Sequence, residues 1–335
     1  MDYSISIAKA IGIILMVIGH SGCPEYIHDF IYMFHMPLFF FLSGLCFKDK
    51  YITHTSDFLL RRIKGLYVPF VLIALLFLLL HNPFLNLGLI QGEYYELDAI
   101  YDRAKSIIFS LHKEEQLLGG FWFIPQLLYA SVFFIFVLKL LRVKWLSLLL
   151  LIFLAVLFHY FNVTIPYTGI GFVSFYGAVF MMWGYILKDK VHIGSRLLLL
   201  VLFIIVVNAA LLFPSDIFID KINVFFPYMF AAIIGSIVTI TCADRLLLVK
   251  NRKLQSILVF LGNNTLYVLT LHFLSFKLVS LFLISIGHNG LLSDFPVIGH
   301  CRRSWYWMLY SFVGIGLPML VAFIVNKVTM NLNKD

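Results

Sequence analysis

The run ISIAKAIGIILMVIGHSG (residues 5–22), followed after a short polar break by IYMFHMPLFFFLSGLCF (31–47), decides the class of this fold. Both runs are apolar enough to read as hydrocarbon-spanning helices. They nevertheless carry Lys9, His20 and His35 inside or at the edge of the span. Desolvating an ionisable group in hydrocarbon is expensive, so each of the three is a candidate functional residue. Lys9 and His20 also share a face. Eleven residues at 100° each return to within about 20° of the starting direction, and the two lie roughly 16 Å apart along the axis. Met16 falls on the same stripe, flanked by Gly12 and Gly19, which leave room for a ligand or a neighbouring backbone.

Composition supports the membrane reading over the whole chain. Of 335 residues, 61% are hydrophobic and 13% charged, and the mean hydropathy is +0.96. A water-soluble domain carries about twice that charged fraction. The net charge of +8 comes with no basic stripe or nucleic-acid motif, so nucleic acid is excluded as a partner. In a membrane protein such an excess reflects Lys and Arg retained on the cytoplasmic side. Lys9 interrupts the first apolar run and no small-residue cleavage site follows, so a removable signal peptide is not expected.

Ten apolar runs are long enough to count as spans, near 5–22, 29–47, 65–82, 121–141, 145–163, 168–187, 194–213, 223–243, 257–286 and 304–330. The expectation is an all-α polytopic membrane protein of about ten transmembrane helices in a single transmembrane domain. The sixth run, GIGFVSFYGAVFMMWGYIL, is Gly-rich and suits close helix packing. The ninth contains Asn263, Asn264, His272 and Lys277, which predicts tilt or a break. Lys and Arg alternate between connections. Lys48, Lys50, Arg61, Arg62 and Lys64 follow the second run, and Arg245, Lys250, Arg252 and Lys253 follow the eighth. The intervening connections are poorer, with Arg103, Lys105 and Lys113 in one, Lys221 in another and Arg302 and Arg303 in a third. With Lys9, Lys327 and Lys334 on the richer side, both termini are expected in the cytoplasm. The long connection 83–120 then lies outside, and DAIYDRAKSIIFSLH (98–112) reads as an amphipathic helix on the membrane surface.

His35 descends the second run at a depth comparable with His20. It reads either as the orienting partner of a His20 base or as a structural residue satisfying carbonyls freed by Pro37. Arg61, Arg62 and Lys64 are either a topology anchor or a clamp for an anionic, phosphate-bearing ligand. Trp122 reads as an interfacial belt residue. His272 is a site residue or a partnered structural histidine, and Asn263 a polar residue of the same run. Cys23, Cys46, Cys242 and Cys301 lack metal-ligand spacing, and no metal is expected. Cys23 and Cys301 fall on the same side, where they either pair or remain free thiols.

Five blocks in order carry a resemblance: Lys9-x10-His20, FHMPLFFFLSGLCF (34–47), RRIKGLYVPF (61–70), FWFIPQLL (121–128) and FLGNNTLYVLTLHF (260–273). Together they resemble membrane acyltransferase family 3, in particular its fucose 4-O-acetylase-like branch. The resemblance implies an O-acetyltransferase of a bacterial inner membrane. Such an enzyme moves an acetyl group from cytoplasmic acetyl-CoA, its acyl donor, to a hydroxyl of a cell-surface glycan or lipid-linked sugar. It implies His20 as the catalytic histidine and Lys9 as its basic partner. Arg61 and Lys64 stand at the ends of an RxxR motif, with Lys in place of the second Arg and Arg62 available to compensate. Ser6 stands where many relatives carry Asp. The soluble esterase-type domain of larger members is not expected. General-base catalysis by His20 and a covalent acyl-imidazole both remain open. A secondary transporter or glycan flippase using the buried His and Lys as a proton relay is the alternative of another class.

Overall fold

Apolar runs without water for their backbone must close every N–H and C=O internally, and these do so as helices. The computed structural model describes residues 3–112, 115–188, 190–217, 224–302 and 304–332. Lys113, Glu114, Lys221, Arg303 and Lys334 lie outside the described residues. The helices that position the site are α1 (Tyr3–His20), α2 (Glu25–Tyr32), α3 (His35–Leu45), α4 (Thr55–Leu79), α5 (Leu97–Ser110), α6 (Gln116–Leu141), α7 (Lys144–Tyr160), α8 (Phe172–Ile186), α9 (Arg196–Leu212), α10 (Phe225–Leu248), α11 (Arg252–Asn263), α12 (Thr265–Ser285) and α13 (Trp307–Met330). Six of them, α1, α4, α6, α10, α12 and α13, are long and apolar enough to cross a membrane, whereas α7, α8 and α9 are shorter apolar helices. Among the described residues there is no strand, only an isolated bridge between Ile165 and Ile170. Large apolar side chains such as Leu72, Leu76 and Leu79 on α4 and Phe312 and Phe323 on α13 are exposed, as a lipid-facing surface requires.

The second expected span is divided. Phe34 leaves the helical region with φ −147° and separates α2 from α3. The division falls just before Pro37, whose ring excludes a continuous helix through the preceding turn. His35 repairs the break, its Nδ1–H donating to the Ile31 carbonyl at 2.9 Å. The ninth expected run breaks as anticipated. Asn264 separates α11 from α12, and its carboxamide bonds the Phe260 carbonyl and Asn326.

The first helix is the wall shared by two apolar cores. Ile7 and Ala8 belong to a cluster built with Phe40, Phe41, Tyr176 and Phe180. Ala10, Ile13, Met16 and Val17 belong to another, with Phe121, Phe273, Phe276 and Tyr310. The Gly-rich run behaves as expected at α8. A Cβ at Gly184 would strike the Phe41 carbonyl oxygen, and one at Gly44 the Met181 carbonyl oxygen. Helices α3 and α8 therefore touch backbone to backbone, which only Gly at both positions permits. Ser6 donates to the Asn263 carboxamide at 2.9 Å, so Asn263 ties α11 to α1.

The connection 83–120 has structure of its own. Its helix α5 matches the amphipathic pattern and buries Ile107. Tyr67 on α4 donates to the Ile108 carbonyl at 3.0 Å. A buried pair of His81 and Glu115 at 2.8 Å fastens the end of the connection.

Candidate active site

Lys9 lines a cavity of about 460 Å³ bounded by α1, α3, α4, α6 and α12. Ile5, Lys9, Ile13 and Met16 form its α1 wall, which is the stripe that the 100° period places on one face. Gly12 and Gly19 do not open onto it. Leu38 and Phe39 pack against the first and Tyr32 against the second.

At the Lys9 end the lining is cationic. Arg61 and Arg62 join Lys9, and among the described residues no carboxylate lines the cavity. The sequence RRIKGLY enters a π turn over Ile63–Tyr67, which ends just before Pro69 and its missing N–H. Such turns recur at functional sites because they re-aim side chains. Here Arg61, Arg62, Gly65 and Leu66 meet the cavity, and the exposed Lys64 does not. Lys64 is thus not brought to the site, and Arg62 stands in its place. The Arg62 guanidinium bonds Ser43 and lies 5.0 Å from the Phe58 ring centre. Its buried Nε has no acceptor among the described residues, which leaves a donor able to bond an anionic group.

Farther in, Phe39, Phe123, Ile124, Leu127, Leu266 and Leu269 make the walls apolar. The cavity ends at Met16 and Leu269. His20 is not in its lining but lies one turn beyond Met16, about 6 Å farther along α1. Between the cationic end and His20 stand Met16, a flexible thioether, and Leu269, which lies with both histidines around Gly120.

His20 is partnered by His272 rather than His35. His20 Nδ1 and His272 Nε2 are 3.1 Å apart. His272 Nδ1 lies 3.0 Å from the Val268 carbonyl and 3.1 Å from that of Leu269. Carbonyl oxygens only accept, so this nitrogen carries the hydrogen. Neutral His272 then presents a lone pair at Nε2, and His20 must donate its Nδ1–H to it. The tautomer of His20 follows from this network, with the lone pair on Nε2. Phe273 stacks on the His20 ring with centroids 5.0 Å apart. Tyr32 stands between His20 and His35, with centroid separations of 6.4 and 4.8 Å.

The backbone of α6 closes the site. A Cβ at Gly120 would lie 2.9 Å from Leu269, 3.7 Å from the His272 ring and 4.0 Å from the His20 ring. The block FWFIPQLL drew attention to Trp122, but Gly120, just before that block, is the residue against the histidines. Trp122 packs edge-on against Phe123, with centroids 6.2 Å apart, and is absent from the cavity lining. Ser43, Cys46 and Phe273 were also missed, since nothing local distinguishes them from other residues of apolar helices. Cys23 and Cys301 are both buried. Burial pushes the Cys23 thiol up to about 11. Among the described residues no cluster of three or more His, Cys, Asp or Glu could hold a metal ion.

Helices able to span a membrane, packed around a cavity cationic at one end with a histidine pair beyond the other, define a polytopic membrane protein with an internal cavity. A family model described as an acyltransferase domain matches residues 2–327, and the chain belongs to acyltransferase family 3. It is a membrane acyltransferase. No curated protein and no solved structure matches it.

Proposed function

We propose that this protein transfers a short acyl group, acetyl, from cytoplasmic acetyl-CoA to a hydroxyl of a glycan or lipid-linked sugar across a bacterial inner membrane. Lys9, Arg61 and Arg62 neutralise the phosphates of the donor, and its thin pantetheine arm follows the Ile5–Met16 stripe toward His20. The His20–His272 hydrogen bond carries this reading. It leaves His20 with its proton on Nδ1 and its basic lone pair on Nε2, the state required of a general base.

The acceptor hydroxyl gives its proton to His20 Nε2 as its oxygen attacks the thioester carbon. The new C–O bond forms, the C–S bond breaks, and the proton passes from the imidazolium to the departing thiolate. Throughout, His20 Nδ1–H remains donated to His272, and this bond strengthens when His20 becomes charged. The thioester reaches His20 only when Met16 and Leu269 yield. His35, bonded to the Ile31 carbonyl, is a structural residue of the α2–α3 break. The acyl-imidazole route places the same Nε2 as nucleophile and uses the same tautomer. Family membership favours acyl transfer over the transporter or flippase reading.

The test is coenzyme A release from acetyl-CoA by purified protein in detergent, with a panel of glycan acceptors. Slow release without acceptor, faster release with it and none in His20→Ala are expected. Native turnover in His20→Ala would remove His20 from the chemistry.

A further inference from the structure

The main cavity is too apolar beyond its three cations to receive the whole of an acyl-coenzyme A. The donor carries a diphosphate and, on its ribose, a separate 3′-phosphate. Burying that second anionic group among Phe39, Phe123 and Leu266 would strip its hydration with no compensating partner. The nucleotide end must therefore lie outside the cavity rim.

That rim is shared with a second concavity. Ile5 and Cys46 line the main cavity and also a neighbouring trough of about 480 Å³, whose other walls include Lys48, Lys188 and His192. Lys48 and Lys188 are exposed, and Lys188 Nζ donates one hydrogen to the Phe47 carbonyl at 3.1 Å. Two carboxylates among the described residues near the trough are already engaged. Asp49 accepts from Tyr185 at 2.7 Å, and Asp244 is held by Ser4 and His192. Past His192, the lining holds Arg196 and Arg245 together with Asp244. A basic path thus leaves the Lys9–Arg61–Arg62 mouth, crosses the Ile5–Cys46 rim and enters the trough.

Resting on the acyl-coenzyme A reading above, we infer that the trough lined by Lys48, Lys188 and His192 binds the ribose 3′-phosphate end of the donor. The diphosphate stays at Lys9, Arg61 and Arg62. The ligand crosses the rim over Cys46, which lines both hollows.

Cys46 makes this measurable without turnover. It is the exposed cysteine, whereas Cys23 and Cys301 are buried and Cys242 is half-buried. Maleimide labelling of Cys46 in the full chain, read by mass spectrometry, is followed against desulfo-coenzyme A, which has no thiol to compete for the reagent. The dephospho form of the same analogue is the comparison. The expected result is protection of Cys46 by both. The dephospho form should need roughly fivefold more ligand for half-protection, as one exposed ion pair at the upper end of its usual strength would give. Lys48→Ala should abolish that difference, and as an exposed side chain its removal leaves the fold intact. Equal protection by the two analogues in the native protein, or a difference that survives Lys48→Ala, overturns the assignment of the trough while leaving the donor reading standing. No protection by either analogue overturns the donor reading and the inference with it.

Discussion

Replacing His272 by Leu separates the proposed chemistry from simple burial. His272 is fully buried, and Leu fills much of its space without a nitrogen. Two effects follow. A hydrogen bond to a charged group contributes about 1.5 kcal/mol more than one between neutral groups, so losing the acceptor as His20 becomes imidazolium costs roughly tenfold in rate. Without the acceptor, the His20 ring also loses its tautomer preference and its orientation, for about another tenfold. Together these predict a fall of about 10² in kcat, with little change in KM for acetyl-CoA because His272 is remote from the cationic mouth. His272→Gln keeps a carbonyl oxygen that can accept the Nδ1–H, and should stay within about tenfold of native. Stopped assays of coenzyme A release for both variants, with thermal unfolding to verify folding, make the comparison. Equal losses in Leu and Gln variants of native stability, or native kcat in the Leu variant, would refute the tautomer argument.

Leu269→Trp should obstruct the narrowing between the cavity and His20, lowering turnover at least tenfold while desulfo-coenzyme A still protects Cys46 from maleimide. Unchanged turnover would show that the donor takes another route. Gly184→Val forces two methyl groups and a Cβ into the backbone of α3. Overpacking of this kind costs about 1–3 kcal/mol or more, so the thermal midpoint in detergent should drop. An unchanged midpoint would contradict the close approach of Gly184 to Phe41.

Much of the architecture was legible because it rests on local properties. Apolar length required helices, the pair Asn263–Asn264 marked the break in the ninth run, and the Gly-rich run marked a close contact. The helical period also placed Lys9 and Met16 on one face, and both line the cavity. The second run was read as one span, yet the turn before Pro37 divides it. The RxxR spacing pointed at Lys64, but the π turn directs Lys64 away and Arg62 inward. A π turn has no reliable local signature, so that exchange became visible only in three dimensions.

By itself, the sequence determined that this is a helical membrane protein, that Lys9 and His20 share a stripe, and which five blocks resemble a family. These are consequences of composition, period and order along the chain. Tertiary structure alone decided that His272 partners His20, that Tyr32 holds His35 apart from it, and that Met16 and Leu269 close the cavity one turn short. The physical reason is that His20 and His272 lie 252 positions apart. Packing of α1 against α12 brings them together, and no periodicity along either helix encodes which of its faces meets the other.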